Sequence, residues 1–518
     1  MMDKIGFGTG GLRGVMGDEP GNINDRVVRR VTQGLAKTIL SSGAPKSVGI
    51  AYDTRYNSAE FAQVTCDTLS AYGIEVYIFD KPMPTPTLSF AIRHLQLGWG
   101  VCITASHNPK EYNGYKVYDK YGVQVTDGLA AEITDSINSV DVFEDVPPVR
   151  QELIKIFDNE VVEAYLEQIV SYVQYEEPSP AVRAGARPLR PSREKLDVVY
   201  SALHGAGANA VPTVLERLGF SPVCIQQNPD GAFGGLETPN PEEPTVYKKA
   251  LSKAKESGAK LILATDPDCD RVGVMVKTEN GFELLNGNQI GALLIDYLAQ
   301  TRSIQKGDTV ISTIVSGLLG ELVAKEYGLD FIRLLTGFKY IGEYIVNLPV
   351  GKNFFFGYEE SYGYLAGDGV KDKDAVIAAA LIVKMAAFYD NKRKTLPDRW
   401  HELSEKHGYC LESLHSIKIS QEEQKVIMSK LRDGLSIDGV TKTEDYLYGF
   451  NRLPKADVLK LYFNDISSSP NTEAWAAIRP SGTEPKLKLY MGVHAKTLKE
   501  ADESLASLRS KLLRELEV

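Results

Sequence analysis

The pattern that most constrains this chain is a unit that recurs three times. It appears from Val48 as VGIAYDTRYNSAEFAQVTCDTLSAYGIEVYIFD, from Leu196 as LDVVYSALHGAGANAVPTVLERLGFSPVCIQ, and from Thr309 as TVISTIVSGLLGELVAKEYGLDFIRLL. Each unit opens with a short β-branched apolar run and turns through small polar residues. A helical pattern follows, ending near Gly73, Gly219 or Gly328, and a second apolar run comes at once. Strand, turn, helix, glycine cap and strand imply parallel pairing with a right-handed crossover. In the second unit Val211, Val214, Leu215 and Leu218 share one helical face, as a helix packed on a sheet requires. Repeated α/β domains are therefore expected.

With 518 residues and ~150 per domain, three or four domains fit. Tyr175–Lys195, rich in Pro, Ala and charge, reads as the first linker, and a polar break near Gln300–Gly307 precedes the third unit. After Lys394 the pattern changes, and Leu411–Val518 reads as α+β ending in a charged amphipathic helix, Leu498–Leu516. The 58 Lys and Arg against 68 Asp and Glu give a formal charge of −10. That balance opposes non-specific nucleic-acid binding, which needs a basic surface. Cys66, Cys102, Cys224, Cys269 and Cys410 never form a C-x-x-C pair and read as reduced thiols. MMDKIGFGTGG lacks a signal peptide's apolar core, and the longest apolar run, Ala375–Val383, is about half a membrane span. No membrane association and a cytoplasmic setting are expected.

Four segments carry candidate chemistry. Thr104-Ala-Ser-His-Asn-Pro109 follows the apolar run Gly98–Ile103. A serine in a turn at a strand end suits a nucleophile or phosphoryl carrier, although an Asx or ST turn uses the same residues. Adjacent side chains in an extended segment point opposite ways, so a direct Ser106–His107 pair is not expected. Asp266, Asp268 and Asp270 stand at i, i+2 and i+4, which share one side of an extended segment. Three such oxygen ligands suit a hard divalent ion, Mg²⁺. An EF-hand fits poorly, because Arg271 replaces the loop glycine and Lys277 the bidentate glutamate. A solvated acidic turn is the alternative, and Arg271 directly after the cluster weighs against it.

In Arg479-Pro-Ser-Gly-Thr-Glu-Pro-Lys486 the guanidinium can fork onto a phosphate, Ser481 and Thr483 add hydroxyls, and Gly482 permits an anion nest. Alone this is a polar turn, but beside a metal cluster and a candidate carrier it points to phosphate. Phe356-Gly-Tyr-Glu-Glu-Ser-Tyr-Gly363 puts carboxylates and a hydroxyl at a strand mouth, suited to sugar hydroxyls or to capping a helix. Lys116 and Lys339 sit in Asn113-Gly-Tyr-Lys and Thr336-Gly-Phe-Lys. Gly8-Thr-Gly-Gly-Leu-Arg-Gly14 lacks the P-loop spacing, and His204-Gly-Ala-Gly207 lacks G-x-G-x-x-G.

Taken in order, TASHNP, DPDCDR, GYEESYG and RPSGTEPK closely resemble the α-D-phosphohexomutase superfamily, with FGTGGLRG, YNGYK and TGFKYIG in support. The resemblance runs from Phe7 to about Tyr490, and Tyr358 before the glutamates is similar to the phosphoglucomutase/phosphopentomutase branch. It implies an α/β fold class: three similar mixed α/β domains plus a C-terminal α+β domain around a central cleft. The expected domains are 1–190 (phosphoserine-bearing), 191–302 (metal-binding), 303–405 (sugar recognition) and 406–518 (phosphate-binding). It implies Ser106 as phosphoserine, with Asp266, Asp268, Asp270 and a phosphoserine oxygen on one Mg²⁺. Glu359 and Ser361 would recognise sugar hydroxyls. Arg479, Ser481, Gly482, Thr483 and Lys339 would hold the non-reacting phosphate. Lys116 would be the general acid/base, and Arg13 and Arg271 would stabilise the transferring group.

The implied activity is phosphoglucomutase, exchanging glucose 1-phosphate and glucose 6-phosphate through glucose 1,6-bisphosphate, which also serves as activator. The implied partners are small sugar phosphates, and the chain would be a monomer or weak dimer. Phosphopentomutase, phosphomannomutase or sugar-bisphosphate synthase activity would use the same serine and metal. An aspartyl-phosphate enzyme built on Asp266 is disfavoured by Asp270, which breaks D-x-D-x-[TV]. A non-catalytic sugar-phosphate binding protein is disfavoured by the intact Ser106 and aspartates.

Overall fold

The computed structural model describes residues 11–19, 21–141, 146–175, 196–434, 437–464, 472–481 and 486–516. The expected linker lies, after Tyr175, outside the described residues.

Each recurring unit builds a sheet of the same local order. In the first, Ser47–Tyr52 pairs in parallel with Glu75–Ile78 and Trp99–Ile103, and Tyr112–Tyr118 then pairs antiparallel with Trp99–Ile103. In the second, Val198–Ser201 pairs in parallel with Val223–Ile225 and Leu261–Thr265, which takes Val272–Thr278 antiparallel. In the third, Asp308–Thr313 pairs in parallel with Asp330–Leu334 and Asn353–Tyr358, which takes Tyr364–Ala366 antiparallel. Helices cover both faces of the central strands, and Trp99–Ile103, Leu261–Thr265 and Asp308–Thr313 are buried throughout, the last with its Asp, Thr and Ser side chains included. Gly73, Gly219 and Gly328, with φ of 78°, 90° and 76°, stop the crossover helices in the left-handed region, where a side chain would be strained.

The antiparallel strand was not part of the βαβ expectation. It needs only a short turn, and that turn is where the chemistry sits. TASHNP, DPDCDR and EESYG all occupy it, each with one non-glycine residue in left-handed conformation: Ser106 (φ 53°), Cys269 (φ 53°) and Tyr362 (φ 64°). A bridge between Arg271 and Gly363 joins the second and third turns.

The first sheet is extended by Gly11–Val15, which pairs antiparallel with Tyr112–Tyr118 and sets Arg13 opposite Gly114. One continuous apolar cluster runs through the three α/β units around the buried helix Ala375–Asn391. The helix Asn159–Gln174 adds Tyr165, Leu166, Ile169 and Val173 to it. The last domain is a five-stranded antiparallel sheet, Tyr409–Lys418, Lys486–Ala495, Glu473–Pro480, Leu459–Asn464 and Val440–Asp445 in spatial order. The helix Leu498–Glu515, capped by Thr497 and Glu500, packs its Leu508 and Leu512 into that domain's own core. Among the described residues no helix is long and apolar enough to cross a membrane.

Candidate active site

The three equivalent turns converge. Ser106 Oγ donates to Asp266 Oδ2 at 2.7 Å, linking the first unit to the second. Ser106 is buried, and its left-handed backbone is fixed by its N–H, which donates to Thr104 Oγ1 at 2.8 Å. That backbone also corrects the expectation for His107. The chain is not extended there, so the neighbouring side chains do not diverge, and His107 Nδ1 lies 3.2 Å from Ser106 Oγ. Desolvation, then the cations Arg271, Arg13 and Lys488, push the imidazole well below its ordinary value, so it is neutral.

Asp266, Asp268 and Asp270 do gather, with candidate ligand oxygens all within 4.8 Å of one another. They do so through a turn and not along an extended face. Asp266 Oδ1 accepts the N–H of Asp270 (3.1 Å) and Arg271 (3.0 Å), which folds the segment back on itself. Burial and repulsion from Asp268 and Asp270 drive the Asp266 carboxyl well above the usual range. For Asp270, burial also works upward, but Lys116, Lys373 and Arg271 overcome it and hold the carboxyl low. Asp268 Oδ1 and Asp270 Oδ1 are buried without a hydrogen-bond partner. Such orphaned anionic oxygens are costly, and with Asp266 they form the all-oxygen donor set that Mg²⁺ prefers. The residues fit that ion.

Lys116 Nζ bridges Asp268 Oδ2 (2.7 Å) and Asp270 Oδ2 (3.2 Å). Burial opposes its charge, yet the two carboxylates raise its pKa, so it is an ammonium here. Lys373 Nζ, 3.4 Å from both Asp270 Oδ2 and Asp372 Oδ1, is a second buried cation at the triad. No motif signalled it; only the run Lys371-Asp-Lys-Asp374 before a helix could have done so.

Above the triad lies a cavity of about 620 Å³ to which all four domains contribute. His107 and Lys116 line it from the first domain, Arg271 from the second, Glu359 and Ser361 from the third, and Arg479 from the last. Arg13 reaches it from the edge strand. Arg271 is held by Glu242 Oε1 (2.9 Å) and the Ser361 carbonyl (3.2 Å). Glu359 Oε1 accepts the Gly337 N–H at 2.8 Å, where φ of 121° suits only glycine. Ser481 N–H donates to the Lys486 carbonyl, while Gly482 and Thr483 lie outside the described residues.

One expected ligand goes elsewhere. Lys339 does not line the cavity. Its Nζ is 2.6 Å from Asp127 Oδ1, and Tyr340 OH donates to Asp127 Oδ2 at 2.7 Å. Lys339 lies in the first turn of the helix Phe338–Val346, and its pair with Asp127 joins the third domain to the first. Arg55 was also missed. It is fully buried beneath the serine turn, and its only sequence signal is the strand-end Asp53-Thr-Arg55.

Models for the phosphoglucomutase/phosphomannomutase alpha/beta/alpha domains I, II and III match residues 4–143, 163–281 and 286–407. Fold and repeats together define a member of the α-D-phosphohexomutase superfamily. Within it, the chain belongs to the phosphoglucomutase/phosphomannomutase family. It is 35% identical to a phosphoglucomutase of Staphylococcus haemolyticus (strain JCSC1435), over 97% of this chain and 92% of that one. A phosphoglucomutase/phosphomannomutase family protein from Burkholderia thailandensis shares the fold with a TM-score of 0.73 at 19% identity, covering 99% of this chain and 98% of that one. So does the Paramecium phosphoglucomutase pp63/parafusin in its open form, with a TM-score of 0.73 at 16% identity over 99% and 94%.

Proposed function

We propose that this protein interconverts α-D-glucose 1-phosphate and glucose 6-phosphate, with Ser106 as the phosphoryl carrier and glucose 1,6-bisphosphate as the intermediate. The observation that carries the reading is the meeting of Ser106 with the acidic triad of the next repeat, under a cavity lined by Arg13, Arg271 and Arg479. In the forward direction the free hydroxyl of the sugar phosphate attacks phospho-Ser106. The new O–P bond forms as the Ser106 Oγ–P bond breaks, and the bisphosphate then reverses so that its other phosphate returns to Ser106.

This transfer needs alignment and charge neutralisation more than covalent machinery. Arg13 and Arg271 offset the charge of the moving group, Arg479 holds the phosphate at rest, and Glu359 and Ser361 take sugar hydroxyls. Lys116, held between Asp268 and Asp270, gives a proton to the departing serine oxygen and recovers one from the attacking sugar hydroxyl, so it serves as the general acid/base. Asp266, Asp268 and Asp270 would hold Mg²⁺, which when bound supplies positive charge to the phosphoryl oxygens. A buried site between domains also excludes water that would hydrolyse phosphoserine. The five unpaired cysteines support a cytoplasmic setting.

The test is Ser106→Ala assayed on glucose, mannose, ribose and deoxyribose phosphates, with phosphopeptide mapping of the parent protein. Loss of turnover, phosphate on Ser106 and fastest rates on glucose 1-phosphate are expected. An alanine variant of full activity, or a pentose phosphate as the best substrate, would refute the reading.

A further inference from the structure

The serine turn hangs on one guanidinium. Arg55 Nη1 donates to the carbonyls of Pro109 (2.8 Å) and Tyr112 (3.2 Å), and Nη2 to those of Asn108 (2.5 Å) and Ser106. Its Nε lies 3.2 Å from Asp53 Oδ2, and both side chains are fully buried. Asp53 also accepts from Thr104 Oγ1 (2.6 Å) and Ser58 Oγ (2.7 Å), and Thr104 Oγ1 accepts the Ser106 N–H. Asp53 and Arg55 therefore grip the turn from both sides of Ser106.

The guanidinium has a second contact that belongs to the other domain. Its centre lies 4.9 Å from the ring centroid of Phe233, which is completely buried. Phe233 is itself fixed, in a left-handed conformation (φ 52°), within a turn whose N–H groups at Ala232 and Gly234 donate to the Asp230 carboxylate. Close packing of Gly231 on Tyr56, where an added Cβ would come within 2.8 Å, seats the same turn on the first domain. The domain that carries Phe233 also carries Asp266.

We propose that Arg55 and Phe233 form a two-domain clamp that sets how Ser106 meets the acidic triad, with Arg55 as a positioning residue and Phe233 as its seat. Neither side chain lines the cavity or hydrogen-bonds to the triad; the charge of the guanidinium reaches Asp268 and Asp266, while its direct hold is on the turn. Lysine cannot replace the fork, because a single ammonium cannot span four carbonyls and present a flat face to a ring. The proposal rests on Ser106 being the phosphoryl carrier.

The experiment compares Arg55→Lys, Phe233→Leu and the double variant with the parent protein and Ser106→Ala. It measures kcat and KM per folded molecule with glucose 1-phosphate, Mg²⁺ and glucose 1,6-bisphosphate. Intact mass reports phosphate on Ser106. Misplacing a carrier costs rate, so Arg55→Lys is expected to lower kcat about 100-fold and slow phosphorylation of Ser106, with KM within about 3-fold. Phe233→Leu keeps the site apolar but removes the ring face, and about a 10-fold loss in kcat is expected. The double variant should be no worse than Arg55→Lys, since the ring acts only through the guanidinium.

A folded Arg55→Lys protein with the parent's kcat overturns the clamp, as do multiplying effects in the double variant. If Arg55→Lys does not fold, Phe233→Leu decides: unchanged kcat overturns the proposal, and reduced kcat at preserved KM supports it. A fully active Ser106→Ala variant would instead sink the carrier reading on which the clamp rests.

Discussion

Ser106 and Asp266 come from different repeats, yet Ser106 Oγ donates to Asp266 Oδ2 at 2.7 Å. Both stand in the turn between the third and the antiparallel strand of their own unit, so a shared topology brings carrier and acidic triad face to face. Asp266→Asn keeps the shape and removes a carboxylate that would hold the ion. We expect kcat to fall roughly 100-fold, in line with loss of one preorganised electrostatic group, and the half-saturating Mg²⁺ concentration to rise. Magnesium titrations of activity check both. An unchanged magnesium dependence would place Asp266 outside the ion's ligands.

Lys116 bonds two carboxylates of the triad, where the Lys373 and Arg271 side chains reach only Asp270. Lys116→Met strips its charge from two buried carboxylates. In chelator the variant should lose about 3–5 kcal/mol, the cost of breaking a buried pair. Mg²⁺ should restore more stability to it than to the parent protein. Urea melts in EDTA and in Mg²⁺ give the comparison, and equal magnesium shifts in the two proteins would contradict it.

Lys339→Met separates an interdomain tie from a phosphate ligand. The lysine side chain is 1% exposed and its partner Asp127 is 52% exposed, so solvent screens part of the pair. A stability loss of about 1–2 kcal/mol is expected. KM for glucose 1-phosphate should stay within about 2-fold, because uniform binding of the substrate is untouched. A large rise in KM at unchanged stability would return Lys339 to the phosphate site.

Asp374 gives a pH dependence with a definite sign. It is buried, its Oδ1 caps the helix Ala375–Asn391 by accepting from Val376 and Ile377, and burial raises its pKa from 3.8 to about 6. The folded state therefore binds the proton more tightly than the unfolded chain. Its contribution is full below pH 3.8 and is lost as pH rises through about 6. Asp374→Asn preserves the cap and should remove this dependence, at most about 3 kcal/mol between those limits. Denaturation midpoints across pH 4 to 8 test it, and an unchanged slope in the variant would count against it.

Much of the architecture is legible in the chain. Apolar runs with glycine-capped helices predict the parallel strands, since a strand covered on both faces is rich in apolar residues. Ser106, Asp266, Asp268 and Asp270 are conspicuous because their residue types suit one chemistry at close spacing. Other features were read wrongly or missed for one reason, that backbone direction in a turn is not a matter of residue spacing. Ser106 in left-handed conformation brings His107 to its hydroxyl, and the aspartates meet by a fold-back that their i, i+2, i+4 pattern does not express.

Repeats, family and the residue types of the site are written in the chain. Tertiary structure alone decided which cations meet which anions. Lys116 and Lys373 reach the triad, Lys339 reaches Asp127, and Arg55 gathers four carbonyls while facing another domain's ring. Those pairings join residues remote in the chain. Burial makes them decisive, because an ion in a dry interior must find its partner, whereas the same lysine on the surface need not.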